Sequence, residues 1–312
     1  MAEKADTRFA QALTERVQIV EKIIERFLPA TEGYAATVIE AMTYSVRAGG
    51  KRLRPLLIYE VAKLYDTPPA LYEPFMAALE MIHTYSLVHD DLPAMDNDEY
   101  RRGRKTTWAV YGDGMAVIAG DGLLNFAYET ALRAFDAVDT NSGEIPADAP
   151  QRISRALQVL ARRAGIYGMV GGQCADIQTE LHPETIDEET LLYIHRNKTA
   201  ALISAGFTIG AILGGAPAGD IEKLERIADN IGLAFQIQDD ILDVTGSREE
   251  LGKSIGKDAA EGKVTYVSMH GLELSAAKVS SLTGEAVSLL QSLPVRDSFL
   301  QSLLESMVGR SK

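Results

Sequence analysis

Two clusters of carboxylates are the residues of this chain best suited to chemistry. They lie at residues 90–96 (Asp-Asp-Leu-Pro-Ala-Met-Asp) and residues 239–243 (Asp-Asp-Ile-Leu-Asp). Carboxylates this close repel one another and raise each other's pKa unless cations lie between them. Mg²⁺ binds such oxygens and completes its coordination shell with water and substrate phosphates. The pair therefore favours a metal-dependent site for a phosphorylated ligand, although one acidic run alone is also typical of a solvated loop.

The second cluster is the harder of the two to explain as a solvated surface. It lies in an apolar helical segment, where Asp239 and Asp243 share one face and Gln236 lies one turn below them. No Lys or Arg adjoins these acids, and burying unpaired carboxylates is costly. A metal held by both clusters, facing each other across a cavity, would remove this cost.

Short runs of cations could hold the phosphate groups. Residues 49–55 (Gly-Gly-Lys-Arg-Leu-Arg-Pro) place three cations in a Gly-led turn before a Pro that suits a helix start, which is a favourable anion site. Residues 101–105 (Arg-Arg-Gly-Arg-Lys) follow the first acidic cluster. Further cations near the second cluster are Lys198, Lys253, Lys257 and Lys263. Each run alone is typical of a solvated surface, but beside two acidic clusters these cations favour phosphate binding.

Helices must position these groups. Apolar residues recur at helical spacing along most of the chain. The expected helices are residues 8–28, 35–48, 56–65, 73–92, 114–137, 151–164, 168–179, 188–213, 219–245, 263–271, 274–292 and 296–308. Pro93 should end the helix that leads to the first acidic cluster. Because no composition shift divides the chain, we predict an all-α protein with a single domain over residues 1–312.

Composition narrows the function classes. A formal net charge of −13, with the basic residues in small clusters, disfavours an extended nucleic-acid surface. The single cysteine, Cys174, excludes disulfides within the chain and cysteine-based metal sites. The N-terminus lacks the apolar core of a signal peptide, so a cytoplasmic location is expected. The uncharged stretch between Lys198 and Asp220 is long enough to span a bilayer, but its polar and Gly residues favour a buried helix.

Several ordered motifs resemble those of the trans-isoprenyl diphosphate synthases, and within them the bacterial-type farnesyl diphosphate synthases. Besides the two acidic clusters, the resemblance rests on residues 49–55, 80–104, 171–173 (Gly-Gly-Gln) and 195–199 (His-Arg-Asn-Lys-Thr). It implies one large bundle of about a dozen helices around a central cavity, the isoprenoid synthase fold. It also implies a homodimer whose substrates are isopentenyl diphosphate and allylic diphosphates.

The resemblance assigns roles to individual residues. Three Mg²⁺ ions, which Mn²⁺ can replace, would be held by Asp90, Asp91, Asp96, Asp239, Asp240 and Asp243. The allylic diphosphate would be bound by Arg101, Lys198, Lys253 and Lys263. The isopentenyl diphosphate site would comprise Lys51, Arg54, His83 and Arg102. Gln236 and the Thr199 carbonyl would stabilise a carbocation, and residues 246–262 would close as a lid. A lone His on a helix is also often structural, so for His83 both interpretations stay open.

The length of the product depends on Tyr85 and Ser86, the fifth and fourth residues before Asp90. Since a helix rises about 1.5 Å per residue, Tyr85 lies roughly 7.5 Å below the acidic end of its helix, where its ring would form a cavity floor. Alternatively, the ring simply fills the core. The floor predicts farnesyl diphosphate as the product. A geranylgeranyl or longer-chain synthase is the alternative, and a catalytically silent regulatory subunit is a more remote one.

Overall fold

The computed structural model describes residues 2–139, 145–245, 264–295 and 297–309. These residues form α-helices with almost no β-structure, so the all-α prediction is confirmed. The α-helices are α1 (Ala2–Phe27), α2 (Ala36–Val46), α3 (Leu53–Leu64), α4 (Pro69–Asp90), α5 (Thr107–Tyr111), α6 (Asp113–Leu132), α7 (Asp136–Asp139), α8 (Ala149–Ala164), α9 (Met169–Leu181), α10 (Glu188–Ile194), α11 (Ala200–Leu213), α12 (Ala218–Thr245), α13 (Tyr266–His270), α14 (Leu272–Gln291) and α15 (Ser298–Val308). Short 3₁₀ turns lie at Gly33–Ala35, Arg133–Phe135 and Pro183–Thr185.

The chain groups into two compact units. Met1–Gln158 with Ile212–Gly215 forms the first unit, and Val159–Ala211 with Ala216–Lys312 forms the second. Each acidic cluster therefore lies in a different unit. The single domain expected over residues 1–312 stays a prediction.

Helix α4 is the core of the first unit and contacts α1, α2, α3 and α6. It starts with Pro69 at its first position, where the missing N–H has no intrahelical partner in any case. Its apolar residues lie all round the helix and are almost all buried, as expected of a central helix. Because packed neighbours surround it, α4 presents the acids at its C-terminal end from a rigid support.

Helix α12 has the same place in the second unit, where it contacts α13, α14 and α15. Its residues Leu224, Ile227 and Ile231 are fully buried. This apolar stripe fixes the rotation of the helix, and therefore which of its acids are exposed.

Helix α5 was not expected, and the helix expected over residues 114–137 is divided into α6, a 3₁₀ turn and α7. Two further differences lie at the candidate site. The helix expected over residues 188–213 is interrupted by a π-helix at His195–Thr199. The apolar spacing did not indicate this interruption, because a single inserted residue leaves the helical periodicity on either side intact. A two-stranded antiparallel hairpin, β1 (Tyr100–Arg101) with β2 (Arg104–Lys105), follows the first acidic cluster. Arg102 and Gly103 form its turn with φ of 53° and 74°. The run of cations at residues 101–105 did not indicate this hairpin.

The uncharged stretch after Lys198 forms helix α11, whose 14 residues are all buried. Among the described residues, no helix is both long and apolar enough to cross a membrane. The preference for a buried helix over a membrane span is confirmed.

Candidate active site

A glycine turn brings the cations of residues 49–55 and of the hairpin together. Gly49 and Gly50 have φ of 79° and 142°, a region that other residues rarely adopt. The Arg102 guanidinium donates to the Gly49 carbonyl. A Cβ on Gly50 would lie 2.5 Å from Arg102 Nη1, so the guanidinium occupies the space that a side chain would fill. Two motifs about fifty residues apart thus form one cationic surface.

Arg54 lies in this cationic surface without a full set of partners. Its Nε is buried and has no hydrogen-bond partner among the described residues. Burial, with repulsion from Arg102, lowers the pKa of Arg54 to about 10, although Glu80 opposes the shift. A half-buried guanidinium with a buried, unused Nε donor is a good candidate to receive an anionic ligand.

His83 adjoins the same arginines, about two turns before the acidic end of α4. Its pKa is well below the ordinary value, chiefly because burial disfavours the charged ring and also because Arg54 and Arg102 repel it. The imidazole is therefore neutral near pH 7 and can give a diphosphate one N–H donor without adding charge.

If His83 belongs to an isopentenyl diphosphate site, as the resemblance implies, we expect His83→Gln to keep the apparent KM for that substrate within about threefold of wild type. His83→Ala should then raise this KM about tenfold, because glutamine keeps an N–H donor and alanine does not. A base whose pKa is depressed stays uncharged as the pH falls through its ordinary value. The ratio of the wild-type KM to the Gln-variant KM should consequently stay constant from pH 8 to pH 6. A ratio that falls toward pH 6 would mean that a protonated His83 binds the substrate.

The first acidic cluster folds back on the end of α4. The helix ends at Asp90 because Pro93 cannot continue it, as predicted. The Asp96 N–H donates to the Asp90 carbonyl at 2.9 Å, and the Asn97 N–H donates to Leu92 at 3.1 Å. These bonds bring the Asp96 backbone back to the helix terminus. Asp90 and Asp96 are thereby held near one point, as ligands of one metal cluster require.

Asp91 has a different environment from its neighbours. It is only 5% exposed, and its Oδ1 accepts a hydrogen bond of 2.6 Å from Arg101 Nε. Burial raises the pKa of Asp91, although Arg101 opposes the shift. Arg101 Nη2 also lies 3.7 Å from Asp98. Sequence reasoning did not foresee that Asp91, predicted to bind metal, and Arg101, predicted to bind diphosphate, form an ion pair with each other.

The second acidic cluster divides between two faces of α12. Asp239 is exposed, and Asp243 and Gln236 are half-buried on the same face. Asp240 is 8% exposed, and its Oδ2 accepts the Tyr266 N–H at 2.8 Å. Asp240 therefore holds the first turn of α13, and its carboxylate is less available to a metal than that of Asp239.

Lys198 and Thr199 lie in the π-helix. Lys198 Nζ is 2.5 Å from Oδ2 of Asp176, a residue of α9 that is only 4% exposed. A Cβ on Gly172 would lie 2.1 Å from the Lys198 backbone nitrogen, so only glycine allows this approach. Sequence reasoning missed Asp176. The one signal available for it was an acid three residues after the Gly-Gly-Gln motif, on a helix whose other residues up to Gln178 are uncharged.

Tyr85 lies one and a half turns below Asp90 and is 7% exposed. Its burial raises the pKa of Tyr85 to about 12, so the hydroxyl is neutral. The ring meets the His89 ring edge to face at a centroid distance of 5.8 Å. His89 in turn lies against Gly120 of α6, where a Cβ would be 2.1 Å from Nε2. Ser86 uses its hydroxyl to donate to the His83 carbonyl at 2.9 Å.

The described residues hold no group of three or more His, Cys, Asp and Glu side chains placed to bind a metal ion. The carboxylate oxygens of Asp90 and Asp96 in the first unit, and that of Asp239 in the second, are nevertheless the donor type that Mg²⁺ prefers. Mg²⁺ needs few protein ligands when phosphates supply the rest, so the donor type of each cluster fits this ion. Lys253, Lys263 and the predicted lid of residues 246–262 lie outside the described residues.

Comparison with known proteins adds independent findings. The polyprenyl synthetase family model matches residues 35–289. A farnesyl diphosphate synthase of Geobacillus stearothermophilus is 44% identical over 268 residues, which cover 86% of each chain. A chloroplastic geranylgeranyl pyrophosphate synthase of Arabidopsis thaliana is 48% identical over 251 residues, covering 80% of this chain and 67% of that protein.

A solved structure agrees with this family. The crystal structure of an FPP/GFPP synthase from Zymomonas mobilis superposes with a TM-score of 0.82 at 32% identity, covering 97% of this chain and 99% of that one. The fold is therefore that of the isoprenoid synthases, as the resemblance implied. The chain accordingly belongs to the polyprenyl synthetase family, and it is a prenyltransferase of the trans-prenyl diphosphate synthase type.

Proposed function

We propose that this chain is a Mg²⁺-dependent farnesyl diphosphate synthase that joins isopentenyl diphosphate first to dimethylallyl and then to geranyl diphosphate. The observation that carries the proposal is that cations and carboxylates meet near the C-terminal end of α4. Arg101 pairs with Asp91 of the first acidic cluster, and Arg54 and Arg102 lie close enough to His83 to lower its pKa. Arginine side chains can bind the diphosphate of isopentenyl diphosphate, which does not react. Carboxylates can bind the metal ions that neutralise the allylic diphosphate as it leaves.

The residues would divide the reaction as follows. The isopentenyl diphosphate is held by Lys51, Arg54, His83 and Arg102. The allylic diphosphate is held by Arg101, Lys198, Lys253 and Lys263, and Asp90, Asp91, Asp96, Asp239, Asp240 and Asp243 hold or support the metal ions. Bound Mg²⁺ supplies neutralisation of the charge that develops on the leaving diphosphate.

The chemical step is an ionisation followed by a condensation and an elimination. The allylic C–O bond breaks, and diphosphate leaves with the electron pair. The double bond of isopentenyl diphosphate then attacks the allylic cation and forms a C–C bond, after which loss of a proton to the released diphosphate restores neutrality. Gln236 and the Thr199 carbonyl stabilise the cation with their oxygen dipoles. No protein nucleophile takes part in this sequence.

Tyr85 supports a product of fifteen carbons. A buried ring below the acidic end of α4 limits the depth that an isoprenoid chain pinned at Asp90 can reach. Geranylgeranyl diphosphate is the second candidate product, because relatives named as geranylgeranyl synthases are as similar to the chain as the farnesyl synthase is.

The experiment is product analysis of the purified full chain with Mg²⁺, isopentenyl diphosphate and each allylic diphosphate in turn. We expect fifteen-carbon diphosphate as the main product from both dimethylallyl and geranyl diphosphate, and little turnover of farnesyl diphosphate. A twenty-carbon main product would favour the second candidate. Substrate binding without turnover would favour a regulatory subunit. We also propose that the protein is cytoplasmic and that its active form is a homodimer. Sedimentation analysis at assay concentration measures the oligomeric state directly.

A further inference from the structure

Arg52 lies between Lys51 and Arg54 in the chain, yet it is not part of the cationic surface. It is 3% exposed, whereas Lys51 is exposed and Arg54 is half-buried. Its backbone has φ 47° and ψ 33°, the left-handed region, at the residue immediately before α3. A residue with a Cβ adopts this conformation only where its surroundings fix it.

The contacts of the Arg52 guanidinium supply that constraint. Nη1 donates to Glu80 of α4 at 2.6 Å, and Nη2 donates at 2.7 Å to the carbonyl of Val46, the last residue of α2. Nε donates to Glu21 of α1 at 2.8 Å. One side chain thus joins α1, α2 and α4 at the point where α3 begins.

Glu80 links this buried network to the cationic surface. It is 2% exposed. Burial lowers the pKa of Arg54 and of Arg102, and the charge of Glu80 opposes both shifts. The pKa of Arg52 is raised, because Glu80 and Glu21 together outweigh burial. A single carboxylate therefore offsets repulsion among three guanidiniums. Within the part of the chain that the structure describes, Arg52 is the one arginine of these three that donates a hydrogen bond to the Glu80 carboxylate.

We propose that Arg52 is a positioning residue for the isopentenyl diphosphate site and that Glu21 couples α1 to that site through it. The proposal rests on the proposed function. The left-handed turn at Arg52 sets the direction in which the chain passes from Lys51 to Arg54. If the guanidinium loses a partner, the turn relaxes, and Lys51 and Arg54 are no longer held in the positions that suit a bound diphosphate.

The test compares two carboxylates on α1. Glu21 pairs with Arg52 and has a side chain 43% exposed, and Glu25 pairs with Arg47 and has one 51% exposed. Glu21→Gln should raise the KM for isopentenyl diphosphate about fivefold, the loss expected for one charge-assisted contact, with the KM for geranyl diphosphate unchanged within about twofold. Glu25→Gln should change neither constant. Equal KM values for the two variants, or a change in melting temperature alone, would overturn the proposal.

A second pair of variants separates positioning from general destabilisation. Lys cannot reach three acceptors in different directions, so Arg52→Lys should raise the KM for isopentenyl diphosphate by about tenfold or more. Arg16→Lys is the matched control, because Arg16 Nε bonds the fully buried Glu60 at 2.7 Å and also ties α1 to α3. It should lower the melting temperature without this selective rise. A similar rise in both variants would mean that the effect is structural only.

Calorimetric titration with isopentenyl diphosphate distinguishes a failure of the proposed function from a failure of the role proposed for Arg52. If the wild-type chain does not bind this ligand, the proposed function fails. If the wild type binds it and the Glu21→Gln and Arg52→Lys variants bind equally well, the proposed function stands and the role of Arg52 is wrong.

Discussion

Replacing Asp90 or Asp239 by alanine should lower kcat by about a thousandfold or more while the helical fold remains intact. In the proposed mechanism these carboxylates bind the metal ions that neutralise the leaving diphosphate. Such stabilisation is worth several kcal/mol in the transition state, with about 1.4 kcal/mol for each factor of ten. Asp239 is exposed and Asp90 is only half-buried, so shortening either side chain leaves no large cavity. Both kcat and substrate affinity should fall, since the ions also hold the bound substrate.

Steady-state kinetics and circular dichroism on the same preparations check this expectation. Glu222→Ala is a suitable control, because it removes an exposed acid from the same helix as Asp239, about five turns from the acidic cluster. It should leave activity unchanged. Titration with EDTA should abolish turnover, and added Mg²⁺ or Mn²⁺ should restore it. Full activity in excess EDTA would exclude the metal-dependent mechanism altogether.

Replacing Tyr85 by alanine should shift the main product from fifteen to twenty or more carbons without abolishing catalysis. The ring is 7% exposed and lies one and a half turns below Asp90. In the proposed function the reacting groups are bound above the ring, so its removal should deepen the cavity and leave the diphosphate ligands in place. The product distribution from geranyl diphosphate and excess isopentenyl diphosphate measures this shift.

Tyr72→Ala is the matched control for the Tyr85 variant. Tyr72 lies on the same helix, is 5% exposed and also pairs edge to face with a ring, that of Tyr59 at 6.1 Å. Losing either buried aromatic should lower stability by about 3–5 kcal/mol. Only the Tyr85 variant should change product length. A well-folded Tyr85→Ala enzyme that still stops at fifteen carbons would show that the ring only fills the core.

Local features of this protein were readable from the sequence, because each depends on residues within a turn or two. Pro93 ends α4 by blocking its backbone geometry, whatever lies elsewhere in the chain. The spacing of Asp239 and Asp243 places them on one face of any α-helix. The all-α class followed from apolar periodicity alone. The acidic and basic motifs indicated a phosphorylated ligand, and their resemblance to a known family indicated a diphosphate.

Other features were decided only by the tertiary structure, because they depend on partners far along the chain. Neighbouring residues of one type received different environments: Arg52 is buried against Glu80 while Lys51 is exposed, and Asp240 bonds the Tyr266 N–H while Asp239 is exposed. Adjacent residues look equivalent in sequence. For Asp239 and Asp240, which one is buried depends on how α12 is rotated against its neighbours, and that rotation is set by packing across the whole unit. For Lys51 and Arg52 it depends on the left-handed turn before α3, which the distant partners of Arg52 hold in place.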